Sequence, residues 1–258
     1  MQPEFSLVSC QCDQHGTYQA YRYPDGTSPT PLVVDCSRCI DENYARRDVH
    51  AKELALQQMR SKKVKDLVTI AGLPPRFATR TLDDYTVTHA EQKFARMVCQ
   101  TFANTWPEQY RKGGSLVLTG GPGTGKTHLA CAIANQIMPE HMATVAFGTV
   151  SKILRGVKST YGGKSERTEE QALEALLIPD LLIVDEVGAQ TGSDHELQLL
   201  FEIFNNRYQN LRPTILISNL NAEDLERFLG HRIMDRFREC GTVLAFNWVS
   251  HRSQSASS

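Results

Sequence analysis

Residues 115–127, SLVLTGGPGTGKT, constrain the fold of this chain more than any other segment. They match the pattern G-x-x-x-x-G-K-[ST] at Gly120, Gly125, Lys126 and Thr127. Glycines let the backbone curl so that consecutive N–H groups point at phosphate oxygens, and a following helix adds the positive end of its dipole. An apolar run precedes the glycines and a helical pattern follows them. The segment therefore predicts a strand, a phosphate-binding loop and a helix, and thus a bound nucleotide.

The residues of this loop have separate expected roles. Lys126 is expected to reach the β- and γ-phosphates, and Thr127 is expected to ligate Mg²⁺. The predicted nucleotide-binding residues are Gly120, Gly121, Pro122, Gly123, Thr124, Gly125, Lys126, Thr127 and His128.

A second segment, residues 181–186 (LLIVDE), is an apolar run of strand length that ends in two carboxylates. Strands buried on both faces of a parallel sheet have this pattern. Asp185, at the end of the strand, is expected to hold Mg²⁺ through water, and Glu186 is expected to polarise the attacking water. Together the two segments predict an ATPase that uses Mg²⁺.

The composition limits the classes of protein to consider. The 258 residues are 41% hydrophobic, which suffices for one large and one small domain. The formal net charge of −1 neither supports nor excludes a nucleic-acid partner. The sequence has neither a membrane-spanning apolar run nor a signal-peptide pattern, so we expect no membrane partner and a cytoplasmic location. Seven cysteines there favour metal binding or incidental burial over disulfides.

The first 40 residues contain two tight pairs of metal-binding residue types. The pairs Cys12-x2-His15 and Cys36-x2-Cys39 have the spacing with which two turns close a tetrahedral Zn²⁺ site. Since so short a segment cannot build a sufficient core, a metal cross-link would serve its stability. Cys10 competes with Cys12, and we prefer Cys12 because Cys-x2-His mirrors Cys-x2-Cys. Four unrelated thiols and a surface histidine are the alternative.

The chain is expected to divide into four parts. A Pro-Asp-Gly turn at residues 24–26 suggests a hairpin in a zinc-ribbon-like module. Residues 40–68 contain no glycine or proline and have a thin apolar stripe. This pattern is typical of a connecting helix or of a helix that packs on a partner. The predicted parts are a zinc-binding module (1–40), a linker helix (41–71), a nucleotide-binding domain (72–252) and a disordered tail (253–258).

Strand and helix patterns alternate through the large domain. Apolar strand patterns at residues 115–119, 144–149, 181–186, 214–218 and 243–246 alternate with helical ones, which predicts an α/β fold whose parallel sheet carries helices on both faces. Residues 107–114 are predicted to be a loop. Residues 76–88 are expected near the nucleotide base, with Tyr85 as a candidate contact. Asn219, at the end of a strand, either positions the hydrolytic water or caps a loop.

Two arginines near the C-terminus form a further candidate. Arg232 and Arg236 are four residues apart and so share one helical face. They either form surface ion pairs or supply an arginine finger to the phosphates of a neighbouring subunit.

Residues 72–252 resemble the AAA+ ATPase domain of the DnaC/DnaI-type replicative helicase loaders. The blocks GPGTGKTHLA, DEVG and RIMDRF carry the resemblance. IstB-type transposition helpers share the first two blocks and are the alternative. A third hypothesis is an adaptor with an inactive ATPase, against which the complete set of Lys126, Asp185 and Glu186 counts.

The resemblance implies a P-loop AAA+ sheet and ATP-dependent loading of a hexameric replicative helicase onto single-stranded DNA. Because few residues follow the RIMDRF block, we expect no C-terminal lid domain. The resemblance also implies a spiral oligomer in which Arg236 acts in trans, and an N-terminal region that binds the helicase and, in some loaders, zinc. The residues that match the family's DNA-contacting region are Lys152, Lys158, Ser159 and Tyr161.

Overall fold

A computed structural model describes residues 6–22, 36–160, 168–189 and 193–251. The chain divides into two compact units, Met1–Lys62 and Lys63–Ser258. The boundaries predicted after residues 40 and 71 remain predictions. The predicted turn at residues 24–26, Tyr161 and the predicted tail lie outside the described residues.

The first unit contains an antiparallel hairpin and most of a long helix. Strands β1 (Ser6–Cys12) and β2 (Gly16–Arg22) pair so that Cys12 lies opposite Gly16, and Gly16 adopts a positive φ of 77°. Helix α1 (Ser37–Ala71) begins directly after Cys36 and carries Cys39 in its first turn. The pair Cys36 and Cys39 therefore lies at the start of a helix, and the pair Cys12 and His15 lies at the turn of the hairpin.

The second unit follows the α/β pattern of the sequence. A 3-10 turn (Pro75–Phe77) precedes its helices and strands. These are α2 (Ala90–Asn104), α3 (Trp106–Lys112), β3 (Ser115–Gly120), α4 (Lys126–His141), β4 (Val145–Thr149), α5 (Val150–Lys158), α6 (Glu169–Leu177), β5 (Leu181–Val187), α7 (Asp194–Gln209), β6 (Thr214–Ser218), α8 (Ala222–Leu229), α9 (His231–Cys240) and β7 (Gly241–Phe246).

The strands of this unit form one parallel sheet in the order β4-β5-β6-β3-β7. Alternate residues of β3 face opposite sides: Leu116 and Leu118 belong to one apolar cluster and Val117 to another. The first cluster packs under α2 and α4, and the second under α5, α7, α8 and α9. The predicted parallel sheet with helices on both faces is therefore confirmed.

Two helices differ from the sequence-based predictions. The segment predicted as a loop at residues 107–114 contains α3, because Pro107 occupies the first turn of a helix, where its missing N–H costs nothing. Helix α8 is not predicted; it begins where Asn221 Oδ1 accepts the N–H of Asp224 at 2.8 Å.

The described residues that follow β7 are 247–251, and no lid domain is present among them. No helix in the described ranges combines the length and apolarity that crossing a membrane requires.

Candidate functional site

A cleft of about 440 Å³ lies at the C-terminal ends of strands β3, β5 and β6. Open parallel sheets bind ligands at this edge. Among the predicted site residues, those that line the cleft are Pro122, Gly123, Thr124, Gly125, Lys126, Thr127, His128, Asp185, Glu186 and Asn219. Gly120 and Gly121 lead from β3 into the same loop. Arg236 is the predicted catalytic residue that does not line the cleft.

The loop after β3 curls through positions that require glycine. Gly120 has a φ of 120°, and a Cβ there would lie 2.4 Å from the Phe246 carbonyl oxygen. Gly125 has a φ of 95°, and a Cβ there would lie 2.4 Å from Tyr85 Cε2. Both conformations are poorly accessible to other residues. The pattern of glycines thus reflects close packing as well as backbone conformation.

Lys126 begins helix α4 and folds back over the loop. Its ammonium group donates to the carbonyl oxygens of Gly120 at 2.6 Å and Gly121 at 2.7 Å. Burial lowers the pKa of Lys126 to about 8, and the Asp185 carboxylate partly offsets this effect. The ammonium group therefore lies within the cleft, inside the curve of the loop.

Thr127 and Asp185 form the part of the cleft that fits a divalent cation. The hydroxyl of Thr127 donates to Asp185 Oδ2 at 2.8 Å, and Asp185 Oδ1 accepts the N–H of Glu186 at 2.7 Å. A hydroxyl and a carboxylate are the oxygen ligands that Mg²⁺ prefers, together with water and phosphate. This donor set therefore fits Mg²⁺.

Glu186 occupies an irregular position in β5. Its φ is 60°, and the pairing of β5 with β6 shifts register between Val184 and Val187. A bulge of this kind re-aims a side chain. Asp185 is 9% exposed, whereas Glu186 is exposed to solvent. The carboxylates of Asp185 and Glu186 thus line the same cleft, although the first is buried and the second is exposed.

Asn219 follows β6, the strand that lies between β3 and β5. The loop that carries it is fixed, because the N–H of Gly120 donates to the Leu220 carbonyl oxygen at 3.0 Å and Ser218 Oγ donates to that of Val187 at 2.6 Å. Asn219 therefore lines the same cleft as Asp185 and Glu186, from the strand next to theirs.

Tyr85 and Trp248 are two aromatic residues that line the cleft. Sequence analysis named Tyr85 as a candidate contact of the nucleotide base, which stays a prediction, and it assigned no role to Trp248. Both donate hydrogen bonds to the Thr124 carbonyl oxygen, so Tyr85 contacts the loop itself. His128 is bonded through Nε2 to the Thr81 carbonyl oxygen at 2.9 Å, and its ring lies edge-on to Tyr85. The only signal for Trp248 was its position shortly after the last strand.

Arg236 lies at the N-terminal ends of the strands, opposite to the cleft, beside the first residues of β3 and β6. Its guanidinium carbon is 5.4 Å from the ring centre of Phe201 and 5.3 Å from that of Tyr208. Within the described part of the chain, its buried Nη1 has no hydrogen-bond partner. Arg232 lies over the same Phe201 ring at 5.8 Å. The two arginines share a face as predicted, and neither lines the cleft of its own chain.

The predicted DNA-contacting residues lie at helix α5 and just after it. Lys158 pairs with Glu196 at 2.9 Å, and Ser159 caps the helix through a bond to the Gly156 carbonyl oxygen. Lys152 is exposed in the first turn. Tyr161 lies outside the described residues.

A second candidate site lies in the first unit, where Cys12, His15, Cys36 and Cys39 come together. One ligand atom from each lies within 4.8 Å of all the others. The distances from His15 Nδ1 to the three sulfurs, 3.3–3.8 Å, and between the sulfurs of Cys12 and Cys39, 3.5 Å, match the edges of about 3.3–3.8 Å that a tetrahedral zinc site requires. Cys10 is not part of the cluster. The donor set therefore fits a tetrahedral metal ion such as zinc.

Glu42 contacts this cluster, and sequence analysis missed it. His15 Nε2 lies 2.9 Å from Glu42 Oε1, so that Nδ1 faces the three sulfurs at 3.3–3.8 Å. A carboxylate in this position fixes the tautomer of a metal-binding histidine. Backbone hydrogen bonds from Gln14 and His15 lower the pKa of Cys12 to about 7. The signal available in the sequence was that Glu42 lies three residues after Cys39, about one turn further along the same helix.

Comparison with known proteins gives matches to both sequence and structure. Residues 45–257 match the family described as IstB-like ATP binding protein. The replicative helicase loader DnaC of Escherichia coli (strain K12) is 32% identical over 199 residues, which cover 77% of this chain and 79% of that protein. The DnaC of Buchnera aphidicola subsp. Acyrthosiphon pisum (strain APS) is 30% identical over 203 residues, covering 78% and 81%.

Solved structures agree with the architecture of the second unit. A crystal structure of the DnaC helicase loader superposes with a TM-score of 0.61 at 24% identity, covering 67% of this chain and 99% of that one. A crystal structure of DnaI gives a TM-score of 0.58 at 21% identity, covering 70% and 95%. At these identities the superpositions establish the fold alone, and they agree with the predicted AAA+ architecture.

Proposed function

Because this chain belongs to the IstB-like ATP-binding family and to the DnaC family of replicative helicase loaders, we propose that it is an ATPase that loads a hexameric replicative helicase onto single-stranded DNA during replication initiation. The observation that carries the proposal is the meeting of Lys126, Thr127, Asp185 and Glu186 in one cleft. An adaptor without ATPase activity would not need this complete set.

The predicted phosphate-binding, metal-binding and catalytic residues have separate roles in the proposed hydrolysis. The loop amides and Lys126 would bind the phosphates of ATP, and Thr127 and Asp185 would hold Mg²⁺. Mg²⁺, when bound, neutralises charge on the phosphates. Glu186 accepts a proton from the attacking water, and Asn219 orients that water. The exposed position of Glu186 supports this role, because a water molecule can reach its carboxylate.

We infer that hydrolysis requires a second copy of the chain. Arg236 is remote from the cleft of its own chain, and such an arginine can stabilise transition-state charge only across a subunit boundary. A head-to-tail, ATP-dependent spiral would bring it to the neighbouring cleft. Phe201 and Tyr208 would hold its side chain in place.

The remaining assignments follow the family relationship. Zn²⁺ bound by Cys12, His15, Cys36 and Cys39 would stabilise the first unit, which together with α1 would contact the helicase. Residues Lys152, Lys158 and Ser159 at α5 would contact single-stranded DNA. The 32% identity to the Escherichia coli loader supports these partners.

The hydrolysis proposal is tested with two substitutions in the cleft. Lys126→Ala should abolish ATP binding. Glu186→Gln should bind ATP but hydrolyse it at least about 100-fold more slowly, as expected for the loss of a general base. Glu202→Gln, on the exposed part of α7, is a matched control. Unchanged turnover in Glu186→Gln would remove Glu186 from the mechanism.

A transposition helper that recruits a transposase is the second candidate, favoured by the description of the matching family. The two functions differ in the partner. Affinity purification of Glu186→Gln from the native host, in the presence of ATP, should recover a hexameric helicase. Recovery of a transposase in its place would identify the second function.

A further inference from the structure

Two aromatic side chains donate hydrogen bonds to a single carbonyl group in the phosphate-binding loop. Tyr85 Oη lies 2.9 Å from the Thr124 carbonyl oxygen, and Trp248 Nε1 lies 3.0 Å from the same atom. A carbonyl oxygen has two lone pairs, so these two donors satisfy it completely. Thr124 is 3% exposed, which limits competition from water.

The two donors fix the orientation of one peptide plane. A trans peptide is planar, and its C=O and N–H groups point in opposite directions. Because the carbonyl of Thr124 is held toward Tyr85 and Trp248, the N–H of Gly125 is directed away from them. Backbone N–H groups of such loops bind the α- and β-phosphates of a nucleotide.

Packing on both sides restricts the same peptide further. The ring of Tyr85 lies directly against Gly125, where a Cβ would come within 2.4 Å of it. Trp248 packs against Phe246, with ring centres 4.7 Å apart and the ring planes tilted by 41°. The N–H of His251 donates to the Gly123 carbonyl oxygen at 3.0 Å. Segments from before and after the loop in sequence therefore enclose it.

We propose that Tyr85 and Trp248 are positioning residues that fix the Thr124–Gly125 peptide so that the Gly125 N–H is directed at the β-phosphate of the nucleotide. The inference rests on the proposed ATP site and extends it by naming what orients the loop. It makes the segment after β7 part of the nucleotide site, although this segment contributes none of the residues of the sequence motif.

The test uses two substitutions that keep an aromatic side chain and remove one donor, Tyr85→Phe, which keeps the ring, and Trp248→Phe, which replaces the indole by a smaller phenyl ring. Either single variant leaves one donor on the carbonyl, so ADP affinity should fall only about two- to fivefold. The double variant leaves a buried carbonyl unpaired, so its ADP affinity should fall by more than the product of the two single effects. AMP lacks the β-phosphate, so its affinity should fall by a smaller factor than that of ADP.

Tyr110→Phe and Trp106→Phe are matched controls, since both residues lie in α3 and outside the cleft. Equal losses of ADP and AMP affinity, or a double effect no larger than the product, would overturn the positioning role. If the double variant does not fold, the ADP-to-AMP ratio of the two single variants decides the question. A wild-type chain that binds neither ADP nor ATP would instead refute the proposed nucleotide site.

Discussion

Thr127 and Asp185, which are 58 residues apart in sequence, are joined by a hydrogen bond of 2.8 Å from the threonine hydroxyl to the carboxylate. The bond connects the start of α4 to β5, and the strand that leads into α4, β3, is separated from β5 by β6 in the sheet. The donors expected to hold Mg²⁺ are therefore already adjacent. Little rearrangement of the chain is needed to hold the cation.

The pH dependence of nucleotide binding should report the environment of Lys126. Burial lowers its pKa to about 8, and a bound phosphate favours the charged ammonium and so raises the pKa. Above the lowered pKa, the lysine must take up a proton when nucleotide binds. Affinity should therefore be level well below pH 8 and fall by up to about tenfold per unit above it.

Calorimetry in buffers of different ionisation enthalpy measures this proton uptake directly. The uptake should approach zero at neutral pH and rise toward one proton per site in alkaline solution. Lys126→Arg keeps its charge throughout this range and should show no such rise. Identical uptake in the arginine variant would assign the proton to another group.

Two loop glycines should respond differently to the same substitution. Gly125→Ala introduces a Cβ at 2.4 Å from Tyr85 and forces a φ of 95°, so it should destabilise the fold by about 1–3 kcal/mol. Gly121→Ala meets no atom within 4 Å and should keep the wild-type stability. Thermal unfolding of the two variants measures the difference. Equal melting temperatures would mean that Tyr85 does not pack against the loop.

We predict that the cluster of Cys12, His15, Cys36 and Cys39 binds one Zn²⁺ per chain. Cys12→Ser should lose the metal, whereas Cys10→Ser should keep it, because Cys10 is outside the cluster. Glu42→Gln should weaken Co²⁺ or Zn²⁺ binding by about 10- to 100-fold, because the group that accepts the hydrogen bond from His15 loses its negative charge. Metal analysis of protein purified without chelator tests the stoichiometry. Absence of zinc in that protein would refute the site.

Sequence analysis was most effective for features that depend on residues close together in the sequence. The phosphate-binding loop and the pairs Cys12-x2-His15 and Cys36-x2-Cys39 each depend on a few consecutive residues. The contacts of Tyr85 and Trp248 with Thr124 span 39 and 124 residues, so they depend on the path of the whole chain. No periodicity encodes such contacts.

The helices that were missed or mistaken have a similar explanation. Pro107 ends a helical pattern in sequence, yet it also fits the first turn of a new helix, and only the surrounding structure decides between the two. Helix α8 is two turns long and is fixed by one capping residue, Asn221. Such short helices carry too few apolar positions to give a periodic signal.

The shared-site proposal makes a prediction about mixtures of variants. Arg236→Ala should bind ATP but lose hydrolysis by about 10³-fold or more. Lys126→Ala contributes an intact arginine and an inactive cleft, so mixing the two should restore part of the activity. Arg232→Ala is the control from the same face. No recovery at any ratio, together with an ATP-bound wild type that stays monomeric, would make Arg236 a structural residue only.

The most direct test of the account is helicase loading on circular single-stranded DNA covered with single-strand-binding protein, using the hexameric helicase of the native host. Wild-type chain with ATP should transfer helicase to the DNA and then dissociate. Glu186→Gln should deliver helicase and remain bound to it, and Lys126→Ala should deliver none. Equal loading by all three proteins, or no loading by the wild type, would contradict an ATP-dependent helicase loader.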